Sequence, residues 1–426
     1  MPEKLALHGG TPVVPPGSVQ PWPHVTDEDR AAVAAVLASG NLAEQRQIQA
    51  EALAEEWAAY IGVRYALPTN SGTAALHIAL AGAGVEAGDE VIVPAFTFWA
   101  TAAAVLHHNA IPVFVDIDPR TFCIAVSEVE PRITERTRAL LPVHIHGMPA
   151  DMDPLRELAQ RYGLALIEDA CQAHGATYRG VRCGALGDAA GFSTQMSKNL
   201  TTGSEGGLFV TNDEGLFERA RYLQYFGEAV IPGRERQDQE YNARGLGWMY
   251  RGDVFGQAFA RSQLRRLDEY NAWRRENCAY LTRHLAELPG VHPPYLPADR
   301  ESVFYNYVLG FYPEELGLEV PPRAFREKVQ EALRAEGVDT GQWQRMPVPA
   351  QDIFQHRVGY GKGCPWRCFP ESHPLYRSED YPRTWEFLDR HAYLFGIHPP
   401  NGLPLMERYV EAIRKVLDQA ETLFSE

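Results

Sequence analysis

Cysteine is scarce in this chain: there are six in 426 residues, at 123, 171, 183, 278, 364 and 368. So few, and so scattered, they exclude the disulfide framework of a small secreted scaffold. Long apolar runs are missing as well. No stretch approaches the roughly 18 apolar residues of a membrane span, and the opening MPEKLALHGGTPVV lacks the apolar region of a secretory signal. The expectation is a cytoplasmic protein without membrane contact. Positive charge is also short. A net charge of −15 argues against nucleic acid or an anionic membrane as a general partner, since both need clustered Lys and Arg.

What remains is ordinary globular composition, 45% apolar and 22% charged, in a chain long enough for one large core and two domains. Residues 1–24, rich in Pro and Gly, read as an extended arm. Thr26-Asp27-Glu28-Asp29 marks a helix start, and a second helical run over about 47–61 ends at Gly62. Short apolar runs then alternate with helical ones. Strands are expected at Tyr65–Pro68, Glu90–Pro94, Pro112–Val115, Ala139–Val143, Leu164–Asp169, Ala189–Ser193 and Leu208–Val210, with helices opening at Ser71 and spanning 99–108 and 151–162. This alternation is the pattern of an α/β sheet covered on both faces, in which functional residues gather at the carboxyl ends of strands. Past about 250 the texture changes to long helices, such as 257–288, and a candidate strand at Phe304–Phe311. The expected division is a large domain over 1–256, including the arm, and a smaller α+β domain over 257–426. Residues 341–384 form a long irregular segment of the kind used as a binding loop or lid.

The chemistry-bearing residues fall on the strand ends. Ser71-Gly72-Thr73 opens a helix directly after a strand, where free N–H groups and glycine suit a phosphate; an ordinary N-cap is the plainer reading of that tripeptide alone. Phe96, Phe98 and Trp99 follow the strand EVIVP and offer either core packing or a platform for a planar ligand. Asp169 ends LALIEDA, with Gln172 and His174 available for neutral hydrogen bonds beside it. Ser193 precedes a Gly-rich loop, FSTQMSKNLTTGSEGG, that carries Lys198. A phosphate cradle, an aromatic, an acid and a lysine, each after a strand, are what pyridoxal phosphate needs. A metal reading of His174 with Cys171 and Cys183, or of Cys364 with Cys368, lacks the usual ligand spacing.

At these residues the sequence resembles the DegT/DnrJ/EryC1/StrS family of pyridoxal-phosphate-dependent sugar and cyclitol aminotransferases. The matching stretches are TNSGTAALHIAL (69–80), DEVIVPAFTFWAT (89–101), PVFVDIDPRTF (112–122), PVHIHGMPADMDPL (142–155), LIEDACQAHGA (166–176) and GDAAGFSTQMSKNLTTGSEGG (187–207). The resemblance implies the fold type I of the aspartate aminotransferase class, with a mixed seven-stranded sheet in the large domain, and a homodimer with active sites at the subunit interface. It casts Lys198 as the Schiff-base lysine and proton shuttle and Asp169 as the partner of the pyridine nitrogen. Gln172 falls near the ring hydroxyl, Phe98 on the ring face, and Gly72, Thr73 and Ser193 at the phosphate.

Two departures mark this chain. Where the family often has G-x-N-Y-R, it has Gly247-Trp248-Met249-Tyr250-Arg251, so Met249 replaces an asparagine that reaches the neighbouring subunit's phosphate. Gln195 matches the cyclitol branch, as does GYGKGCPW around Cys364, whereas Ser204-Glu205 has the loop length of nucleotide-sugar enzymes. The implied reaction moves an amino group from L-glutamine or L-glutamate to a keto-cyclitol or keto-sugar, with a dTDP-, UDP- or GDP-linked keto-sugar as the alternative acceptor. A sugar dehydratase of the same fold commonly has histidine at the lysine position, and a non-catalytic regulatory homologue has no use for an intact Lys198, Asp169 and Gln172. Tyr305, Asn306, Trp343, Arg345 and His398 are substrate-site candidates from residue type and position alone.

Overall fold

A computed structural model of the chain describes residues 3–228, 238, 242–371 and 374–424. Thr26 starts the first long helix as its sequence leads one to expect: its hydroxyl accepts from Asp29 N, and the Asp29 carboxylate accepts from Thr26 N at 2.8 Å. This capping box opens α1 (Asp27–Ala38), and Asn41 caps α2 (Leu42–Ile61), which ends at left-handed Gly62. β1 (Tyr65–Thr69), α3 (Gly72–Gly82), β2 (Glu90–Pro94), α4 (Trp99–Leu106), β3 (Ile111–Val115), β4 (Thr137–Leu140), α5 (Met152–Tyr162) and β5 (Ala165–Asp169) follow. A small hairpin, β6 (Thr177–Tyr178) and β7 (Val181–Arg182), precedes β8 (Ala189–Ser193), β9 (Gly207–Thr211) and α6 (Glu214–Gln224).

These strands form the expected mixed seven-stranded sheet, in the order β1-β9-β8-β5-β4-β2-β3. β9 runs antiparallel to both its neighbours and the remaining pairings are parallel. The carboxyl ends of β1, β8, β5, β4 and β2 therefore meet the start of β9 along one edge. β2, β3 and β9 are buried at every position. Val91 and Val93 of β2 pack in one core with Ile78, Ala102 and Val105, while Ile92 between them packs in another with Trp57, Leu155 and Leu158. Each such side chain contributes about 1.5–3 kcal/mol by leaving water, which is why both faces must be covered.

The second half holds α7 (Val254–Leu264), α8 (Leu267–Leu285), β10 (Val291–His292), β11 (Arg300–Glu301), β12 (Tyr307–Phe311), α9 (Pro322–Ala335), β13 (Thr340–Gly341), α10 (Asp352–Gln355), α11 (Pro382–Arg390), β14 (His391–Leu394) and α12 (Leu403–Leu417). A four-stranded antiparallel sheet, β10-β12-β14-β13, packs with α8, α9 and α12 around Tyr307, Leu309, Phe311, Phe325 and Ile413. β11 joins the β6–β7 hairpin instead. Leu5 and Val14 of the arm are buried in this second core rather than the first.

Two expectations need correction. The single helix over 257–288 is two, α7 and α8, broken at Arg265-Arg266. Arg266 leaves helical geometry with its guanidinium bound to Asp29 at 2.6 Å and Glu28 at 2.9 Å, and the break lets α7 pack on α1 and α2 while α8 packs on α12. The strand expected at Phe304 begins at Tyr307, because Phe304 has a φ of +45°. Residues 341–384 are largely irregular, as expected, with only short helical pieces such as Val348–Ala350, Asp352–Gln355 and Ser378–Asp380, and they pack on the large sheet. Val348 N bonds Ala95 O at 2.9 Å, Tyr376 bonds Pro112 O at 2.9 Å, and Phe354, Trp366, Tyr376 and Tyr381 are buried with Phe114. Within this cover Cys364 and Cys368 form a disulfide with each other, one local link instead of a framework. No helix among the described residues is long and apolar enough to cross a membrane.

Candidate active site

The strand register sets the site. Thr69 and Ser193 both pair with Gly207, and Asp169 pairs with Gly191, so the ends of β1, β8 and β5 lie side by side. At β1 the chain turns into α3, with Ser71 as N-cap accepting from Ala74 N at 3.1 Å. Gly72 and Thr73 thus hold the first amides of α3, which have no carbonyl of the preceding turn to bond. Glycine is required here by space. A Cβ on Gly72 would lie 2.7 Å from Ser193 Cβ and 2.9 Å from Cys171 Sγ, and one on Gly207 would lie 2.3 Å from the Ser71 carbonyl oxygen. The result is a tight floor of backbone at the N-terminus of α3 with Ser193 packed against Gly72, an arrangement that suits a phosphate.

Asp169, 4% exposed, sits on the next strand end. Oδ2 accepts from Thr101 Oγ1 at 2.7 Å and Oδ1 from Cys171 N at 3.1 Å. Thr101 is itself bridged to Thr97 at 2.6 Å. Each carboxylate oxygen keeps a further lone pair for a ring N–H. Gln172 Oε1 accepts from His146 N at 2.7 Å, which fixes its amide beside the acid. His174 does not join them: its ring lies between Trp57 and Phe192, and neither nitrogen has a hydrogen-bond partner. Burial, then the Lys198 charge, pushes its pKa down to about 3.

The three aromatics separate. Phe96 is fully buried against Phe387 and Trp343, and Trp99 packs on Phe354 away from the site. Phe98, at the N-cap of α4, is 57% exposed with Trp343 at its edge, leaving a ring face open. Of the three, it alone has the exposure that a platform for a planar ligand needs.

Lys198 follows a turn in which its N–H bonds Gln195 O at 2.8 Å, while Gln195 Oε1 accepts from Ser197 N at 2.8 Å and Ser197 Oγ at 2.7 Å. Its Nζ lies 4.2 Å from the Tyr305 ring centroid, and Trp22 Nε1 donates to its carbonyl at 3.2 Å. Burial raises the Cys171 thiol pKa well above its ordinary value; the nearby Asp169 charge adds to the rise and Lys198 opposes it. One small side chain therefore feels both the acid and the lysine. His146 feels the lysine too. Its Nδ1 pairs with Asn306 Nδ2 at 3.0 Å, its Nε2 is sealed without a partner, and burial followed by the charges of His391 and Lys198 takes its pKa down to about 3.

Of the substrate-site candidates, Tyr305 lies against Lys198 Nζ, Trp343 against Phe98, Asn306 against His146 and His398 against Trp22, at 5.3 Å between rings; Arg345 is exposed and bonds none of them. Sequence reasoning missed Thr101, His146 and Trp22 beside these residues. Thr101 alone carried a signal, one helical turn past Phe98. Met249 is 42% exposed beside the N-terminus of α3, its carbonyl accepting from Asn70 Nδ2 at 3.2 Å. The buried trio His144, Glu168 and Cys183 has metal-like proximity, but its polar atoms are in use. Glu168 accepts from the amides of Gly184, Leu186 and Gly187 at 2.7 Å each, and His144 bridges Glu168 at 2.9 Å and Ala150 N at 3.0 Å. This network pins the loop before β8 to β5.

Comparison with known proteins agrees with this geometry. The family model described as the DegT/DnrJ/EryC1/StrS aminotransferase family matches residues 23–367. The chain is 40% identical over 349 residues to the L-glutamine:2-deoxy-scyllo-inosose aminotransferase of Streptoalloteichus tenebrarius, covering 79% of this chain and 80% of that protein. It is 42% identical over 254 residues to GDP-perosamine synthase of Caulobacter vibrioides, covering 59% and 66%. Among solved structures, S. venezuelae DesV in complex with a ketimine intermediate superposes with a TM-score of 0.77 at 35% identity, over 92% of this chain and 94% of that one. By sequence, fold and site architecture, the chain belongs to the DegT/DnrJ/EryC1/StrS aminotransferase family.

Proposed function

We propose that this aminotransferase uses pyridoxal phosphate to move the amino group of L-glutamine or L-glutamate onto a keto-cyclitol. The observation that carries the reading is the row of Gly72, Thr73, Ser193, Asp169 and Lys198 along one sheet edge, with the Gly72–Gly207 floor too tight for any side chain. When bound, pyridoxal phosphate supplies an aldehyde that exchanges amines and a ring that accepts the electrons freed when the donor's α-proton leaves.

The chain's own residues do the rest. Thr73, Ser193 and the α3 amides hold the phosphate, and Phe98 covers one ring face. Asp169, braced by Thr101 and Cys171 N, holds a proton on the ring nitrogen through a charge-assisted bond. Gln172, its amide oriented by His146 N, reaches the ring hydroxyl. Lys198 Nζ would hold the cofactor through its aldehyde and, when free, would be the base that takes the proton from the donor's α-carbon. The close identity to L-glutamine:2-deoxy-scyllo-inosose aminotransferase supports the donor and the cyclitol acceptor. In this reading the enzyme is a homodimer with the exposed Met249 facing the partner, and residues 257–426 form the smaller domain.

A second acceptor class, a nucleotide-linked keto-sugar, is favoured by the identity to GDP-perosamine synthase and by Ser204-Glu205. One experiment separates the two. The yellow protein is bleached with L-glutamine, and ketones are then added singly. A keto-cyclitol is expected to restore the yellow form, a GDP- or dTDP-keto-sugar doing so alone would make the second reading correct, and failure of L-glutamine and L-glutamate to bleach the protein would refute both.

A further inference from the structure

Two arginines are buried among the described residues, Arg274 at 3% and Arg326 at 5% exposure. Arg326 is fully engaged, with Gln330 Oε1 at 2.8 Å, Glu327 at 3.2 Å and the Asp389 carbonyl at 3.3 Å. Arg274, in the middle of α8, makes no ion pair and no hydrogen bond among the described residues, and its Nε is sealed without a partner. The groups that act on its charge are Cys278 and Tyr305, not a carboxylate, and burial pulls its pKa down to about 10. A desolvated cation held this way is costly unless an anion joins it.

Its position says which anion. The Arg274 guanidinium carbon lies 4.7 Å from the Trp22 ring, and Trp22 donates to the Lys198 carbonyl at 3.2 Å. Tyr305, whose charge also acts on Arg274, carries Lys198 Nζ at 4.2 Å from its ring centroid. The neutral groups of this wall are spent on backbone: Asn277 on the carbonyls of Ile397 and Asn401, and Asn271 on that of His174. His398, beyond Trp22, adds no second cation at neutral pH, because burial and then the Arg274 charge bring its pKa to about 4. An unpaired guanidinium thus stands behind the lysine that must meet the donor's α-carbon.

We propose that Arg274 binds the α-carboxylate of the amino-acid donor. The proposal rests on the transaminase reading above and adds the donor subsite to it. A guanidinium presents two parallel N–H groups to a carboxylate, and one carboxylate next to the α-carbon is what every amino-acid donor brings. The ion pair forms as the donor enters and is released as the keto acid leaves. A ring ketone carries no carboxylate, so the second half of the cycle does not use it.

The test compares wild-type protein with Arg274→Met and Arg274→Lys, all loaded with pyridoxal phosphate. Calorimetric binding of α-methyl-L-glutamine, which has no α-proton to lose, is expected to weaken roughly 30-fold or more in Arg274→Met. Wild-type protein is expected to react with L-glutamine in strong preference to L-glutaminamide, whose α-carboxylate is blocked, and the methionine variant is expected to lose that preference. The rate of the ketone half-reaction is expected to stay within about 2-fold, since Arg274 takes no part in it. Arg274→Lys, which keeps the cation without the fork, is expected to fall between, and it decides the matter by itself if the methionine variant does not fold. An equal loss in both half-reactions, or an undiminished preference for L-glutamine over its amide, would overturn the assignment while leaving the transaminase reading standing. A wild-type protein inert to both L-glutamine and L-glutamate would overturn both.

Discussion

Thr101 shows how one residue makes another usable. Asp169 is nearly sealed from water, where a carboxylate is tolerated only with partners, and Thr101 Oγ1 at 2.7 Å is one of the two donors it has among the described residues. Replacing Thr101 by Val keeps the shape and removes that donor, and it also costs Thr97 a partner. Hydrogen bonds to charged groups contribute about 1.5–3 kcal/mol. Thr101→Val should therefore lower kcat/KM by roughly 10-fold or more, with only a small loss of thermal stability. Steady-state kinetics beside a thermal melt check this, and unchanged kinetics would show that Asp169 needs only the Cys171 amide. Asp169 and Lys198 could be found in the sequence because each ends or follows an apolar strand in a recognisable motif. Arg274 could not: in NAWRRENCAY it reads as half of an ordinary solvated Arg pair, and only the packing of α8 reveals which arginine is buried and unpaired.

Among the elements, α3 and α4 meet through histidines. His77 Nδ1 pairs with the Tyr250 hydroxyl at 2.9 Å, His108 Nε2 with the His77 carbonyl at 2.9 Å, and the His77 ring lies 4.1 Å from that of Trp248. This junction fastens residues 248–251 beside the N-terminus of α3. Burial first, then the charges of His108 and His107, take His77 down to about 2, and burial takes His108 to about 4. Both are neutral when folded, so below about pH 6.5 the unfolded chain binds more protons than the native one. Stability should hold above pH 6.5 and fall as pH drops toward 4, by about 1.4 kcal/mol per pH unit for each histidine so buried. His77→Phe should make the decline shallower. Urea midpoints across this range test it, and a flat profile from pH 7 to 5 would contradict it. Element by element, the α/β alternation was legible because strands buried on both faces are continuous apolar runs. The break at Arg266 was not, since the apolar pattern passes through it and the cause is an ion pair with Asp29, far away in sequence.

Over the whole molecule, the placement of residues 341–384 was the least legible in the sequence. The segment lacks periodicity, so its aromatics gave no sign of a destination. They prove to cover the edge of the large sheet, with Trp366 bonded to Tyr376 at 3.0 Å and Tyr376 to the Pro112 carbonyl. The arm was equally opaque: it wraps the second core and ends with Trp22 touching the lysine loop. Both features bring distant chain to the active edge, and neither follows from local pattern. The central claim is narrower than the fold. It is the proposal that Lys198 would hold pyridoxal phosphate covalently, with Asp169 at the ring nitrogen. Borohydride treatment of the purified yellow protein, followed by peptide mass mapping, tests it directly. The account predicts a reduced phosphopyridoxyl group on Lys198, absent from the Lys198→Ala protein; the group on any other lysine, or full transaminase activity in Lys198→Ala, would contradict it.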